Sequence, residues 1–383
     1  MSPPNPFHYG TPVVGEQFVG RERELDALVS RMRDGINVVV LSPRRYGKTS
    51  LLLAAEERLA AGRPRGAVVR ANVLRSRDLA TLVGRLAASA YRMPGARWHR
   101  TKQAVPDFLR RLRVRPGVSF DEQAKPTFSF EAGLAAADAE EVIADLYALL
   151  AEAAGERPAV VVLDEFQAIT DHGAHLPDLL KALADAHPAV SLVVAGSRRH
   201  LMERLVSSEQ APLYGMAQKL SLAPIPDDVM VPFLQDRARA GGKPMDEPTA
   251  GQIVALAGPV PNDIQHLAYE AFEVAGRRID PPAVTDGLDQ AVAHEASTFA
   301  ELFASRPPGQ RRVLVALAAG PGSPVFSSAF ARSVGLAGSN SVKRAVDALD
   351  DNEIVVLRQG RPSVADPFLG AWLRAAAGPE PNP

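Results

Sequence analysis

The segment that most restricts the fold is residues 42–49, Ser-Pro-Arg-Arg-Tyr-Gly-Lys-Thr, because of the elements predicted on either side of it. The apolar run at residues 37–41 predicts a buried strand, and residues 49–61 predict a helix that stops at Gly62. A phosphate-binding loop requires this order of strand, loop and helix. The sequence therefore predicts an α/β fold with the parallel sheet of a P-loop NTPase.

Each part of this loop has a role in binding a nucleotide. Its backbone amides and the positive end of the next helix would bind the β-phosphate, and Gly47 lets the backbone approach closely. Lys48 would reach the β- and γ-phosphates, and the Thr49 hydroxyl would bind Mg²⁺. Ser42 replaces the usual first glycine and fits if its φ is negative or the strain is absorbed elsewhere. The predicted ATP-binding residues of the loop are Pro43, Arg44, Arg45, Tyr46, Gly47, Lys48, Thr49 and Ser50.

The sequence Gly-Lys-Thr could also occur by chance at the start of a helix. A second motif makes this alternative less probable. The buried run at residues 159–163 leads directly into Asp164 and Glu165, which is a Walker B arrangement. Asp164 would hold Mg²⁺ through water, and Glu165 would orient and polarise the attacking water. The alternative is an ordinary acid pair at a strand end. The strand at residues 191–195 leads to Ser197, which is predicted to touch the γ-phosphate or that water, or else only to cap a helix.

Composition excludes several classes of function. The 383 residues, enough for two or three domains, include no Cys, which excludes disulfides, cysteine-ligated metals and thiol nucleophiles. With 43 basic and 44 acidic residues, the net charge of −1 argues against coating nucleic acid or membrane with the whole surface. The N-terminus does not resemble a signal peptide, and no apolar run reaches the ~18 residues of a membrane span. We therefore expect a cytoplasmic protein without a membrane segment.

Four segments together resemble a known family. They are residues 18–24 (Phe-Val-Gly-Arg-Glu-Arg-Glu), 43–50 (Pro-Arg-Arg-Tyr-Gly-Lys-Thr-Ser), 163–167 (Leu-Asp-Glu-Phe-Gln) and 366–373 (Asp-Pro-Phe-Leu, then Trp-Leu). From about residue 5 to residue 374 the chain resembles prokaryotic AAA+ ATPases of the archaeal-ATPase type, in the MNS clade near the STAND ATPases. The change to helices alone after Pro224 fits this layout. The predicted divisions are an extended N-terminal arm (1–16), an AAA+ core (17–223, with a basic insertion at about 92–130), a helical lid (224–305), a winged helix (306–374) and a disordered tail (375–383).

The resemblance also implies roles for single residues. Arg21 would lie near the adenine, and so would Pro261 of the lid, although the spacing of its motif is off by one residue. Met216 stands where some relatives have an arginine, and Arg198 and Arg199 are the substitutes that the sequence offers. The lid segment 261–276 contains no arginine that could take this role in place of the one missing at Met216. An arginine that stabilises the charge of the transition state raises the rate of hydrolysis roughly 10³- to 10⁵-fold. Because this chain lacks one at both places, we expect slow, partner-stimulated hydrolysis. Relatives further suggest a homo-oligomer when ATP is bound.

Two regions are candidates for binding DNA. Residues 301–374 carry nine basic and six acidic residues, a mild net charge of +3. The pattern of helix, turn, helix and two short strands predicts a winged helix, with Ser341, Lys343 and Arg344 facing base edges and Arg358 and Arg361 reaching phosphates. A protein-binding or autoinhibitory module is the alternative.

The second candidate is the basic segment 92–115, whose neighbouring aromatic residues could stack on bases. We favour the alternative, a solvated insertion whose aromatic residues pack inward. The residues concerned are Arg92, Arg97, Arg100, Lys102, Arg110, Arg111, Arg113 and Arg115, with the aromatic residues Tyr91, Trp98 and Phe108.

Two functions thus remain open. The first is a Mg²⁺-dependent ATPase coupled to a winged helix that binds double-stranded DNA or a protein. The second is a switch set by bound ATP or ADP, with little turnover. Glu165 favours the ATPase, because a protein that only binds nucleotide does not need it, whereas Met216 and the lid without arginine favour the switch. A scaffold that no longer binds nucleotide is disfavoured by the intact loop.

Overall fold

The computed structural model describes residues 4–93, 104–113, 116–120, 125–130, 135–154, 157–206, 209, 211–358 and 360–376. The chain forms two compact units, one from Pro12 to Pro224 and one from Ile225 onward together with the residues before Pro12. Within the described residues, no helix is both long and apolar enough to cross a membrane.

The first unit is built on a parallel sheet, which confirms the predicted α/β fold class. Its described strands are β1 (Val38–Leu41), β2 (Ala67–Asn72), β5 (Ala159–Asp164), β6 (Val190–Gly196) and β7 (Gln218–Ser221). Their order in the sheet is β2-β5-β6-β1-β7. The phosphate-loop strand β1 and the acid-pair strand β5 therefore flank β6, and all three carboxyl ends lie at one edge.

Both faces of this sheet are covered, which explains why its central strands are mostly apolar. Val38 and Val40 of β1 point to one face and pack with α1 and α2 residues, whereas Val39 points to the other face. The described helices of this unit are α1 (Glu22–Arg33), α2 (Lys48–Ala61), α3 (Leu79–Tyr91), α4 (Ala104–Leu109), α5 (Ala136–Ala154), α6 (Leu176–Ala186) and α7 (Arg199–Val206), with short 3₁₀ helices at Gly15–Gln17 and Phe166–Asp171.

The insertion after α3 buries two of its aromatic residues, Phe108 and Phe128, and leaves Phe120 exposed. Strands β3 (Gly117–Phe120) and β4 (Pro126–Ser129) form an antiparallel hairpin. The ring of Phe108 is fully buried and lies 5.6 Å from Tyr91 and 5.2 Å from Phe128. Three arginines of the insertion form ion pairs, namely Arg110 with Asp107, Arg111 with Glu152 and Arg113 with Asp145, and Arg92 is exposed. This arrangement supports a solvated insertion. Arg97, Trp98, Arg100, Lys102 and Arg115 lie outside the described residues.

The second unit is helical apart from one small hairpin. Its first helices are α8 (Asp227–Ala240), α9 (Glu247–Ala257), α10 (Pro261–Val274) and α11 (Pro281–Ala304). The winged-helix order follows, with α12 (Pro308–Ala319), α13 (Ser328–Ser333), α14 (Ser339–Asp351), β8 (Val355–Arg358), β9 (Arg361–Val364) and α15 (Pro367–Ala376). Buried Val342, Val346 and Leu349 follow helical spacing along α14 and give it one core-facing side. Of the predicted tail, residues 377–383 lie outside the described residues.

The part of the predicted N-terminal arm before Pro12 belongs to the second unit. Phe7 is buried and its ring lies 6.2 Å from that of Phe272 on α10. Tyr9 stacks on His266 of the same helix at 3.9 Å. The sequence predicted an extended arm from its prolines and glycines, whereas the burial of Phe7 and the stacking of Tyr9 fix these residues against α10.

Candidate functional site

The loop between β1 and α2 has the backbone form that binds phosphate. Gly47 has a φ of 86° and Arg45 a φ of 65°, both in the left-handed region, and Lys48 begins α2. When residues with positive φ alternate with residues with negative φ, successive backbone amides point toward one place and make a concave site for an anion. Ser42 is not among the residues with positive φ, so serine is compatible with this position. Pro43, Arg44 and Arg45 are exposed, whereas Tyr46 is buried.

Lys48, Thr49 and Asp164 form a buried polar cluster beside this loop. Lys48 is 5% exposed and Asp164 is 1% exposed. The Lys48 ammonium donates to Asp164 Oδ1 and, at 2.9 Å, to Glu165 Oε1. The Thr49 hydroxyl donates to Asp164 Oδ2 at 2.8 Å. The strand order thus brings together residues that are more than a hundred positions apart in the chain.

The same cluster fits a magnesium ion completed by phosphate. Mg²⁺ prefers oxygen ligands and is usually held by one or two side chains together with substrate phosphates and water. Thr49 and Asp164 offer a hydroxyl and a carboxylate oxygen next to each other. The described residues contain no group of three or more His, Cys, Asp or Glu that could hold a metal without such a ligand.

Glu165 lies at the turn where β5 ends, with a φ of 54° in the left-handed region. Its Oε2 accepts hydrogen bonds from Ser197 Oγ at 3.0 Å and from Gln167 Nε2 at 2.6 Å. Burial acts to raise the pKa of Glu165, but the charge of Lys48 and these hydrogen bonds outweigh it, so the pKa lies below its usual range. Glu165 is therefore an ionised carboxylate at neutral pH that can accept a proton from water.

Gln167 is the residue of this site that sequence analysis missed. In the sequence it is the last residue of the segment 163–167, and the motif assigns it no role. The available signal was its position among Phe166, Ala168 and Ile169, because a glutamine inside a short apolar run is unusual and calls for a polar partner.

Two predicted nucleotide contacts have partners within the protein. Arg21 is 3% exposed and donates to Glu24 Oε1 at 3.0 Å and to the backbone oxygen of Tyr46 at 3.3 Å. It thus braces the phosphate loop, and its approach to the adenine stays a prediction. The Ser50 hydroxyl accepts a hydrogen bond from the Val13 amide at 3.0 Å. A nucleotide contact of Ser50 also stays a prediction.

The remaining predicted residues are placed as follows. Pro261 is the first residue of α10 in the second unit. Arg198 is exposed just beyond Ser197, and the side chain of Arg199 lies outside what the structure describes. The backbone oxygen of Met216 accepts a hydrogen bond from Asn37 Nδ2 at 3.2 Å.

The predicted DNA contacts all lie on the winged helix. Lys343 pairs with Asp347 at 2.7 Å, and Arg344 donates to the Ser341 hydroxyl at 3.4 Å. Arg358 and Arg361 lie directly opposite each other at the end of the β8–β9 hairpin, and both are exposed.

Two family models match the sequence. Residues 17–195 match a family described as "AAA ATPase domain". Residues 297–375 match one described as "probable winged helix domain". No curated protein matches the chain at the level of sequence.

Several solved structures share the fold. A Walker-type ATPase of Pyrococcus abyssi is 18% identical with a TM-score of 0.67, over 96% of this chain and 99% of that one. The ORC1 protein of Aeropyrum pernix, solved in complex with DNA, is 17% identical with a TM-score of 0.51, over 95% and 94%. The ORC2 protein of the same organism, in its ADP form, is 13% identical with a TM-score of 0.52, over 97% and 98%. At these identities the likeness establishes the fold alone.

Proposed function

Since the chain is an AAA+ protein that joins an AAA ATPase domain to a C-terminal winged helix domain, as its sequence predicted, we propose that it hydrolyses ATP with Mg²⁺. The observation that carries this proposal is the position of Glu165. Its ionised carboxylate lies within the cluster of Lys48, Thr49 and Asp164, beside the phosphate loop. A protein that only holds nucleotide needs the loop but has no use for a second, ionised carboxylate at this place.

The chain's own residues supply the parts of a phosphoryl transfer to water. Lys48 binds the β- and γ-phosphates, and Thr49 and Asp164 hold the metal. When bound, Mg²⁺ neutralises charge on the phosphate oxygens. Glu165 accepts a proton from the attacking water as the oxygen of that water forms a bond to the γ-phosphorus. The bond from that phosphorus to the bridging oxygen breaks, and ADP and phosphate are the products.

We propose that this turnover is slow in the isolated chain. In the described part of the first unit, Lys48 is the cation in contact with both carboxylates of the site. It must leave them to reach a phosphate, and the family resemblance implies that Met216 stands where some relatives have an arginine. An arginine supplied from outside is worth roughly 10³–10⁵ in rate. We propose that a second copy of the chain supplies it, so that the ATP-bound protein forms a homo-oligomer; a partner protein, or Arg198 or Arg199 of the same chain, is the alternative source.

The test is steady-state ATP turnover with Mg²⁺, with and without duplex DNA, for the wild type and for Glu165→Gln. We expect Glu165→Gln to lower turnover at least about 100-fold, because the amide cannot accept the proton, while ATP still binds. The matched control is Glu301→Gln on an exposed position of α11, which is expected to leave turnover unchanged. Equal turnover in the wild type and in Glu165→Gln would contradict the proposal.

A nucleotide-controlled switch is the second candidate, and the Lys48 pairing supports it. In this arrangement the ammonium is neutralised by two carboxylates, so nucleotide binding itself would rearrange the site. Absence of turnover in the wild type, with ATP binding that is lost in Lys48→Ala, would support this switch instead of the ATPase.

We further propose that the winged helix binds duplex DNA, with a protein as the alternative partner. Like charges directly opposite each other in a hairpin destabilise it, and a phosphate between Arg358 and Arg361 would relieve this repulsion. The ORC1 protein of similar fold was solved in complex with DNA, which supports the same partner class here.

We expect Arg358→Ala and Arg361→Ala each to weaken binding to duplex DNA of any sequence. Each should lower the slope of log affinity against log salt by about one, because one phosphate contact is lost. The control is Arg239→Ala, an exposed arginine of α8 that pairs with Asp236. Fluorescence anisotropy at several salt concentrations measures the slope. An unchanged slope in both variants would exclude the wing as a phosphate contact.

A further inference from the structure

The amide of Gln167 holds one oxygen of the Glu165 carboxylate at short range. Its Nε2 lies 2.6 Å from Glu165 Oε2, closer than the Ser197 hydroxyl at 3.0 Å from the same oxygen. Gln167 is only 8% exposed, whereas glutamine is usually a surface residue. A buried amide loses its hydration and needs a strong partner, and hydrogen bonds to charged groups are the strong ones. The bond to Glu165 accounts for its burial.

The other end of this amide restricts how it can be oriented. Gln167 Oε1 is buried and has no hydrogen-bond partner among the described residues. Turning the amide over would place that oxygen against a carboxylate oxygen, and both can only accept hydrogen bonds. The amide is therefore fixed with its NH₂ group toward Glu165.

Gly196 at the end of β6 provides the space for this side chain. A Cβ on Gly196 would lie 2.6 Å from Gln167 Oε1 and 2.4 Å from Met202 Sδ of α7. The amide is thus enclosed by β6, by α7 and by its own 3₁₀ helix. This packing limits the rotamers open to Gln167, so the amide can impose a direction on the carboxylate that it holds.

We propose that Gln167 is a positioning residue of this site, which fixes Glu165 through Oε2 and so directs Oε1 toward the attacking water; the role rests on the ATPase function proposed above. In the structure Oε1 is occupied by Lys48. When Lys48 turns to a phosphate, Oε1 loses its partner while Oε2 keeps Gln167 and Ser197. The carboxylate is then held by one oxygen and free to act with the other.

The test compares the wild type with Gln167→Met, which keeps the length of the side chain and removes the donor. We expect kcat to fall about 10- to 100-fold, because Glu165 loses its direction, while the KM for ATP changes less than about twofold. The acid limb of the kcat–pH profile should move to higher pH, because the ionised form of Glu165 loses a hydrogen bond. Gln167→Glu should move it further, since a second carboxylate would face the first.

A measurement without turnover tests the same contact. In the nucleotide-free protein, ¹³C NMR of labelled glutamate carboxyls follows the titration of Glu165, whose signal is identified by its loss in Glu165→Gln. We expect Gln167→Met to raise the midpoint of this titration and to leave the affinity for ADP unchanged. The matched control is Gln235→Met, whose amide donates instead to the backbone oxygen of Met245 at 3.4 Å. It should change neither kcat nor the titration.

The outcomes separate the two proposals. A wild type without ATP turnover overturns the ATPase function and this role together. Turnover that is abolished in Glu165→Gln but unchanged in Gln167→Met, with the same pH profile, overturns the role of Gln167 alone. An unshifted Glu165 titration in Gln167→Met also overturns it. A lower kcat with a shifted profile and titration, at constant affinity for ADP, supports it.

Discussion

Replacing Lys48 by Met is expected to weaken the binding of ATP by about 100-fold or more and to reduce turnover to the background. Lys48 begins the helix that follows the phosphate loop and is proposed to bind both the β- and the γ-phosphate. Each hydrogen bond to a charged group contributes about 1.5–3 kcal/mol. Fluorescence titration with a labelled nucleotide measures the affinity directly. Binding at wild-type affinity would show that Lys48 does not contact the phosphates.

The same substitution should also destabilise the first unit. Asp164 is 1% exposed and would lose the cation that balances its charge. Removing one partner of a buried ion pair costs about 3–5 kcal/mol, because the remaining charge is left uncompensated. Adding Asp164→Asn should restore most of the lost stability, since the uncompensated charge at position 164 is then removed, but it should not restore ATP binding.

A second lysine–aspartate pair is the matched control for this effect. Lys343 and Asp347 on α14 form an ion pair at 2.7 Å, but their side chains are 65% and 50% exposed. Lys343→Met should cost less than about 0.5 kcal/mol, because water screens and replaces such a pair. Equal losses of stability in Lys48→Met and Lys343→Met would show that the burial of the Lys48–Asp164 pair does not increase the cost of removing its lysine.

Gly287→Val is expected to lower the free energy of unfolding of the second unit by about 4 kcal/mol. A Cβ on Gly287 in α11 would lie 2.6 Å from the backbone nitrogen and 2.7 Å from the Cα of Ala271 in α10. These are backbone atoms and cannot turn aside as a flexible side chain can. The two helices must therefore separate, and the buried contacts around Ala271 and Phe272 would be lost with them.

Gly251→Val in α9 provides the control with the same change of side chain. Nothing lies within 4 Å of a Cβ at Gly251, so we expect a change of less than about 0.5 kcal/mol. Denaturant unfolding can be followed through Trp372, which packs near Phe303, in a Trp98→Phe background that removes the other tryptophan. Similar losses in both variants would show that helix propensity, not the close approach of α10 and α11, sets the cost.

Much of the fold could be predicted from local patterns. Three strands of the sheet are largely apolar runs that end at Leu41, Asp164 and Gly196, and such runs indicate burial on both faces. The two short helices α4 and α7 were not predicted, because neither has an apolar face long enough to be recognised. The docking of the N-terminal arm was not predicted either, since it depends on a groove made by distant helices.

In the candidate site, too, some features could be predicted from the sequence and others could not. The spacing of Gly47, Lys48 and Thr49 and the acid pair after β5 indicate phosphate and metal chemistry without any structure, because the chemistry requires those groups at strand ends. The bonds of Arg21 and Ser50 within the protein could not be foreseen, since their partners, Tyr46 and Val13, are set by how the loop folds back on its neighbours.

The sequence by itself thus determined the kind of chemistry at this site, since the groups that bind phosphate and metal are fixed by short-range spacing. The tertiary structure decided which side chains share the Glu165 carboxylate. Lys48, Gln167 and Ser197 reach it from three different elements. They meet because β5 lies beside β6 and one strand from β1, and that order results from the packing of distant segments around the sheet.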